Sequence, residues 1–184
     1  MNIKGKRVTL RAMEKSDCPL IVEMFNDPEM ENLVVGWSFP LAEFAQEKWL
    51  EDHYRDQNNF RFVIEDENKQ AVGIATLVEI DWKNRSAVHG IKIAQKADRG
   101  KGIGTDTVMA IMRYAFDELQ LNRLETTWFA TNIPSQSMYL KCGWQKEGVK
   151  RRSVYKRGEY RDLVIAGILA EEYHTLVAAN RYWD

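Results

Sequence analysis

No other stretch constrains the chain as tightly as residues 97–105, where β-type residues give way to a long helical pattern and glycines stand at 100, 102 and 104. With no Cβ atoms in the way, the backbone N–H groups of such a loop can close directly on an anion at a helix N-terminus. The two commonest phosphate-binding patterns do not fit. A dinucleotide fingerprint needs a small residue three positions after its second glycine, where Thr105 stands, and a P-loop needs Ser or Thr after Gly-Lys, where Gly102 stands. The spacing predicts an anion cradle made by the backbone of Arg99, Gly100, Lys101, Gly102, Ile103, Gly104 and Thr105, with the Arg99 and Lys101 side chains adding positive charge.

The rest of the chain arranges itself around that junction. Residues 7–11 alternate polar and apolar, as a half-buried strand does. Ser16-Asp17 offers a helix N-cap ahead of Leu20, Ile21, Met24 and Phe25, which recur at helical spacing and stop before Asp27-Pro28, where a short helical turn can begin. Residues 33–39 are apolar, aromatic and broken by Gly36, which suits a packed loop, and 41–54 read as a helix with Phe44, Ala45, Trp49 and His53 near one face. Residues 60–65, 71–80 and 86–94 then read as three strands with connections short enough for antiparallel hairpins. Behind the cradle, Val108, Ile111, Met112, Ala115, Phe116 and Leu119 form one apolar helical stripe. A strand at 123–129, a helix from Pro134 to Gly143, a hairpin of 144–155 with 160–169 turning at Arg157-Gly158, and a helical tail at 171–184 complete the order. This order predicts an α+β sandwich with a mixed, largely antiparallel sheet.

With 184 residues and 45% hydrophobic content, the chain is long enough for one well-buried core and is expected to be a single domain over 1–184. No apolar run approaches a membrane span, residues 1–6 have no signal-like core, and a cytoplasmic location without membrane association is expected. Cys18 and Cys142 lack CxxC spacing, and His53, His89 and His174 lack i, i+4 partners, so neither a disulfide framework nor a metal site is expected. The formal net charge is −1, yet residues 14–31 are acidic and 146–161 basic. Each block reads either as a solvated face or as steering charge, an acidic funnel for a cation or a basic edge for a phosphate or nucleic acid.

Arg99, Gly102 and Gly104 also meet the acyl-CoA signature Gln/Arg-x-x-Gly-x-Gly/Ala. Downstream stands Asn132-x-x-Ser135-x-x-x-Tyr139-x-Lys141-x-Gly143-Trp144, and upstream stand residues 61–66, Val72-Gly73, residues 77–80 and Arg85-Ser86-Ala87. From about Arg7 to Ile168 the chain resembles the GCN5-related N-acetyltransferases, and within them the branch of spermidine and ribosomal-protein alanine N-acetyltransferases. The resemblance implies the acyl-CoA N-acyltransferase fold, with helices on both faces of the sheet and a gap between the strands ending near Ala94 and Phe129 that takes the pantetheine arm. It implies acetyl-CoA as co-substrate, bound by the cradle, by the strand Ile91-Lys92-Ile93, by Asn132 and, near the same end, by Lys141. The resemblance also implies an acceptor that is a primary amine of polyamine-like or protein N-terminal type, entering under residues 33–39.

Three residues carry the expected chemistry. Tyr139 matches the family's general acid, or else is a core aromatic on an amphipathic helix, and Glu79 matches a glutamate near the acceptor site, or else is a surface carboxylate at a strand end. His89 could relay a proton from the amine through water, or simply fill the strand face. The spermidine enzymes usually place an acidic residue where this chain has Val88, which weakens polyamine specificity. Neutralising a lysine-like amine at pH 7 costs about 4.6 kcal/mol, against about 1 kcal/mol for a protein α-amine, so polyamine acetylation leans harder on a base. A non-catalytic acyl-CoA sensor of the same fold stands as the alternative, a nucleic-acid partner is the least favoured, and homo-oligomer formation stays open.

Overall fold

A computed structural model describes residues 1–36, 39–94 and 100–184. Eight strands form one sheet: β1 Ile3–Lys4, β2 Thr9–Ala12, β3 Phe60–Glu65, β4 Ala71–Asp81, β5 Ser86–Ile93, β6 Arg123–Phe129, β7 Gln145–Lys156 and β8 Glu159–Leu169. Their spatial order is β1-β2-β3-β4-β5-β6-β8-β7. Every pairing is antiparallel except β5 with β6.

The helices divide between the two faces. On one face α1 Cys18–Asn26 and α2 Pro28–Leu33 bury Ile21, Met24 and Met30 against Ile74 of β4, with α3 Glu43–His53 outside α1. On the other, α4 Ile103–Arg113 runs on into a π-helical turn, Tyr114–Glu118, and its stripe of Val108, Ile111, Met112 and Ala115 is fully buried against Leu10, Ile64, Leu77 and Leu124. α5 Ile133–Lys141 and α6 Ala170–Asn180 flank α4, so nearly the whole circumference of α4 is covered. The expected α+β architecture with helices on both faces is therefore present. No helix among the described residues is long and apolar enough to cross a membrane.

Three local expectations are corrected. The first long strand begins at Thr9 rather than at residue 7, because the amides of Lys6, Arg7 and Val8 turn away from the sheet and donate to the Asp106 carboxylate at 2.9, 2.7 and 3.0 Å. Asp17 does not cap α1. Its carboxylate is occupied by the Arg11 guanidinium at 2.7 and 2.8 Å and by the Glu14 amide at 2.8 Å, and a 3₁₀ turn, Lys15–Asp17, leads into the helix instead. In α3, Phe44 points into solvent and Gln46 is the buried residue; Trp49 stacks on His53 with ring centroids 4.7 Å apart.

Asp106, itself 3% exposed, also accepts from the Tyr182 hydroxyl at 3.1 Å, so one carboxylate ties the N-terminal segment, the start of α4 and the C-terminal tail. Asp106→Ala leaves three backbone donors and a phenol without their acceptor. It should lower stability by roughly 3 kcal/mol, which for a chain of this size is a fall of about 6–12 °C in Tm. Calorimetry checks this, and a change below about 2 °C would show that water replaces the carboxylate at little cost.

Candidate active site

β5 and β6 are paired only at Ser86–Arg123, Ala87–Leu124 and Val88–Glu125. Beyond Val88, β5 keeps its register with β4, Ala75 facing Ile91 and Gly73 facing Ile93, but has no further pairing with β6. The backbone edge at Ile91, Lys92 and Ile93 therefore opens into the wedge between the parted strands. A cavity of about 740 Å³ fills this wedge.

At one end of the cavity lies the cradle. Gly100 and Gly102 have φ of +79° and +86°, a backbone region that costs any residue with a Cβ, and Gly102 is the N-cap of α4. Helix geometry leaves the amides of Ile103, Gly104 and Thr105 without intrahelical acceptors at the positive end of the helix dipole. Among the described residues, a Cβ on Gly102 would have only the Arg7 guanidinium near it, at 4.0 Å. Gly104 is bare for a second reason: a Cβ there would stand 2.7 Å from the Met138 sulfur of α5, so it also lets the two helices approach. The Lys101 carbonyl is held by the Arg7 guanidinium at 2.9 Å, which fixes the loop from behind. Arg99 lies outside the described residues.

Tyr139 and His89 meet where the strands part. The Tyr139 hydroxyl and His89 Nδ1 are 2.8 Å apart, and both residues are 2% exposed. Tyr139 stacks on Trp128 at 5.4 Å and meets Trp144 edge-on at 5.0 Å, an aromatic box that leaves its ring one orientation. Burial raises the phenol pKa, so the hydroxyl keeps its proton at any physiological pH. Burial, helped by the charge of Lys92, pushes the His89 imidazole down to about 3. The ring is neutral, and its buried Nε2 has no partner among the described residues.

A family model, Acetyltransferase (GNAT) domain, matches residues 7–145. The chain belongs to the GNAT acetyltransferases. Spermidine N(1)-acetyltransferase of Vibrio cholerae serotype O1 is 30% identical to it over 171 residues, 92% of this chain and 96% of that protein. The SPbeta prophage-derived N-acetyltransferase YokL of Bacillus subtilis (strain 168) is 27% identical over 169 residues, 92% of this chain and 93% of its own length. The crystal structure of spermidine N-acetyltransferase from Vibrio cholerae in complex with CoA and spermine matches with a TM-score of 0.84 at 28% identity, over 91% of this chain and 98% of that one. This chain is an acetyltransferase whose fold and co-substrate class follow from that membership.

Within this GNAT domain the other residues singled out by sequence fall at distinct places. Asn132 lines the cavity but also caps α5, its Oδ1 accepting from the Ser135 amide at 3.2 Å and its Nδ2 donating to the Leu33 carbonyl at 3.4 Å. Lys141, in the last turn of α5, borders the same cavity. Glu79 sits on a bulge of β4 with φ of +54°, its amide donating to Asn59 Oδ1 at 3.0 Å, and its exposed side chain stands at the cavity rim. His89 lies on the face of the sheet opposite α1 and α2, since it registers with Leu77 and not with Thr76. Toward an amine of pKa about 10.4, an imidazole of pKa about 3 faces a gap of roughly 7 units, about 10 kcal/mol. Burial thus disfavours the protonated form of His89, and the ring's hydrogen-bonding partner is the Tyr139 hydroxyl.

The two charge blocks meet each other. Lys156 pairs with Glu31 at 3.0 Å and donates to the Val34 carbonyl at 2.6 Å, Arg157 pairs with Glu31 at 3.1 Å, and Arg161 donates to Asn32 Oδ1 at 2.9 Å. Neither the solvated-face nor the steering reading covers these three cations, which strap α2 and Val34 to the closing hairpin. No local signal in either block foretells the pairing, because the partners are more than 120 residues apart.

Two measurements follow. Gly102→Val forces a β-branched residue into a left-handed cap and should weaken CoA binding at least tenfold by calorimetry; unchanged affinity would show that the cradle is not the anchor. For His89, the folded pKa lies below the unfolded value of about 6.5, so its contribution is complete above that pH and is lost as pH falls toward about 3. Between pH 7 and 4.5 the parent should lose roughly 2–3 kcal/mol more than His89→Phe, which cannot titrate. Urea titrations at several pH values read this difference, and parallel slopes for the two proteins would contradict the buried neutral ring.

Proposed function

We propose that this acetyltransferase acts by direct attack of a primary amine on the thioester of acetyl-CoA, with Tyr139 supplying the proton to the departing sulfur. The observation that carries the reading is the Tyr139–His89 hydrogen bond, set inside the cavity that runs from the Gly102 cradle to the parted strands. Acetyl-CoA supplies an acyl group already activated as a thioester. Its diphosphate fits the amides of Ile103, Gly104 and Thr105 and the charge of Lys141. Its pantetheine amides fit the open edge of β5 at Ile91–Ile93, and a backbone N–H on this edge faces the thioester oxygen and stabilises the charge that develops there.

In the transfer, the amine nitrogen forms the new bond to the acyl carbon, the carbon–sulfur bond breaks, the sulfur gains a proton from Tyr139, and the proton lost by nitrogen restores the phenol. A neutral imidazole with its hydrogen on Nδ1 donates to the Tyr139 oxygen. This leaves the phenol hydrogen for sulfur and steadies the oxygen while it is short of a proton. Protonation of His89 is suppressed by burial, so this arrangement persists throughout the physiological range. A non-catalytic acyl-CoA sensor has no use for an oriented, protonated phenol at this point.

On the acceptor side, Met30, Leu33, Val34 and Val35 roof the cavity and Glu79 stands at its rim. A small amine fits under this roof, and the Vibrio cholerae relative's structure is described as a complex with CoA and spermine. Tyr139→Phe should cut turnover by about 10²–10⁴ while acetyl-CoA still binds. Thiol release with a panel of amines, beside calorimetry with acetyl-CoA, tests it. Unchanged turnover would assign the proton to another group, and absence of thiol release with every amine would leave only binding.

A further inference from the structure

At the acceptor end of the cavity the sheet presents a pair of valines. Val78 registers with Val88 as Ile74 does with Lys92, so the two are cross-strand neighbours on the face that α1 and α2 cover. Both are half-buried, and both line the cavity. Val88 is also the last residue of β5 that pairs with β6, so the valines border the point where the strands part. Facing them are Met30 and Leu33 of α2 and the following Val34. The backbone here is already engaged. The Leu33 carbonyl accepts from Asn132 Nδ2 at 3.4 Å, the Val34 carbonyl accepts from Lys156 Nζ at 2.6 Å, and the valines are paired with each other in the sheet. What these five residues turn toward a ligand is therefore chiefly hydrocarbon. The polar side chains of the same sheet face, Thr76 and Lys92, lie further along the strands toward the open edge of β5. Glu79, the acid among the described residues that line the cavity, is exposed.

We infer that the acceptor is an amine with an apolar substituent, an alkyl chain or the hydrocarbon side chain of an amino acid, seated between the Val78–Val88 pair and the roof of Met30, Leu33 and Val34. This rests on the amine-acetylation reading and narrows it. Half-buried valines keep apolar surface in contact with water, and a hydrocarbon group that covers it gains the free energy of removing that surface. A second ammonium in the same place would lose its water without a hydrogen-bonding partner, which costs more than any apolar contact returns. The Glu79 carboxylate, standing in water at the rim, offers such a cation only a screened attraction. Apolar surroundings also disfavour the charged form of the reacting amine, which must shed its proton before it attacks the thioester.

Two sets of acceptors test the inference and separate the sources of hydrocarbon. In thiol-release assays kcat/KM should rise about fourfold for each methylene from propylamine to pentylamine, or at least about tenfold from glycinamide to leucinamide; the set that responds names the source. Pentylamine should exceed putrescine, in which an ammonium replaces the end methyl, by about tenfold or more. Val88→Thr, close in shape but polar, should lower this preference about threefold. Val88→Asp should reverse it, and neither substitution should change the KM for acetyl-CoA. No response in either set, preference for putrescine, or a preference that survives both Val88 variants overturns the apolar subsite. If no amine releases thiol, the transfer reading falls, and calorimetry of pentylamine and leucinamide on the CoA-saturated protein decides the subsite by itself. Binding that Val88→Asp abolishes would then support it, and absence of such binding would overturn both.

Discussion

The architecture hangs on one carboxylate. Asp106 lies in the first turn of α4, where the helix dipole favours an anion, and is buried beneath three consecutive backbone amides and the Tyr182 hydroxyl. The charge-assisted bonds hold residues 6–8 against the start of α4, and from there Arg7 reaches over to the Lys101 carbonyl. The cradle is thereby braced by the opposite end of the chain. A loop whose glycines make it free to adopt left-handed φ values is also free to leave them, and this brace removes that freedom before an anion arrives.

The second organising constraint is the early end of the β5–β6 pairing. Two adjacent parallel strands that separate after three residue pairs expose backbone polar groups in the middle of a sheet, a loss that a folded chain accepts only where something else satisfies them. Here the wedge brings two chemically different surfaces together. On the α4 side an aromatic box holds a neutral phenol and a neutral imidazole, kept so by burial. On the α1–α2 side stand Lys92 and Thr76. His89, beside Tyr139, and Lys92, beside Thr76, thus lie on opposite faces of β5, separated by the alternation of its side chains.

Most of the fold was legible because its elements are locally consistent. β6, the β3–β4–β5 meander and the stripe of α4 each announce themselves within about ten residues, and the structure returns them with bounds shifted by a residue or two. Errors arose where a side chain or amide is claimed from outside its own element. Asp17 resembles an N-cap until Arg11 claims it, residues 7–8 resemble strand until Asp106 claims their amides, and Phe44 fits a helical face that the packing of α3 on α1 leaves outside. At the site, the glycines and Tyr139 were readable from motif spacing. The place of the Lys92 side chain was not, since in sequence it is one more position of a β-strand noted for its backbone; only the register sets it beside Gly90 and Thr76.

The strap between the hairpin of β7 and β8 and the acceptor roof divides the molecule's inheritance. The glycine loop, β5 and α4 lie in one contiguous run of sequence, whereas α2 and Val34, which border the cavity, are held by Lys156 and Arg161 from the far end of the chain. A lineage can therefore exchange the roof and its strap together and keep the donor machinery intact. The contacts couple α2 to the distant hairpin, so a substitution on one side of the strap bears on the placement of the other.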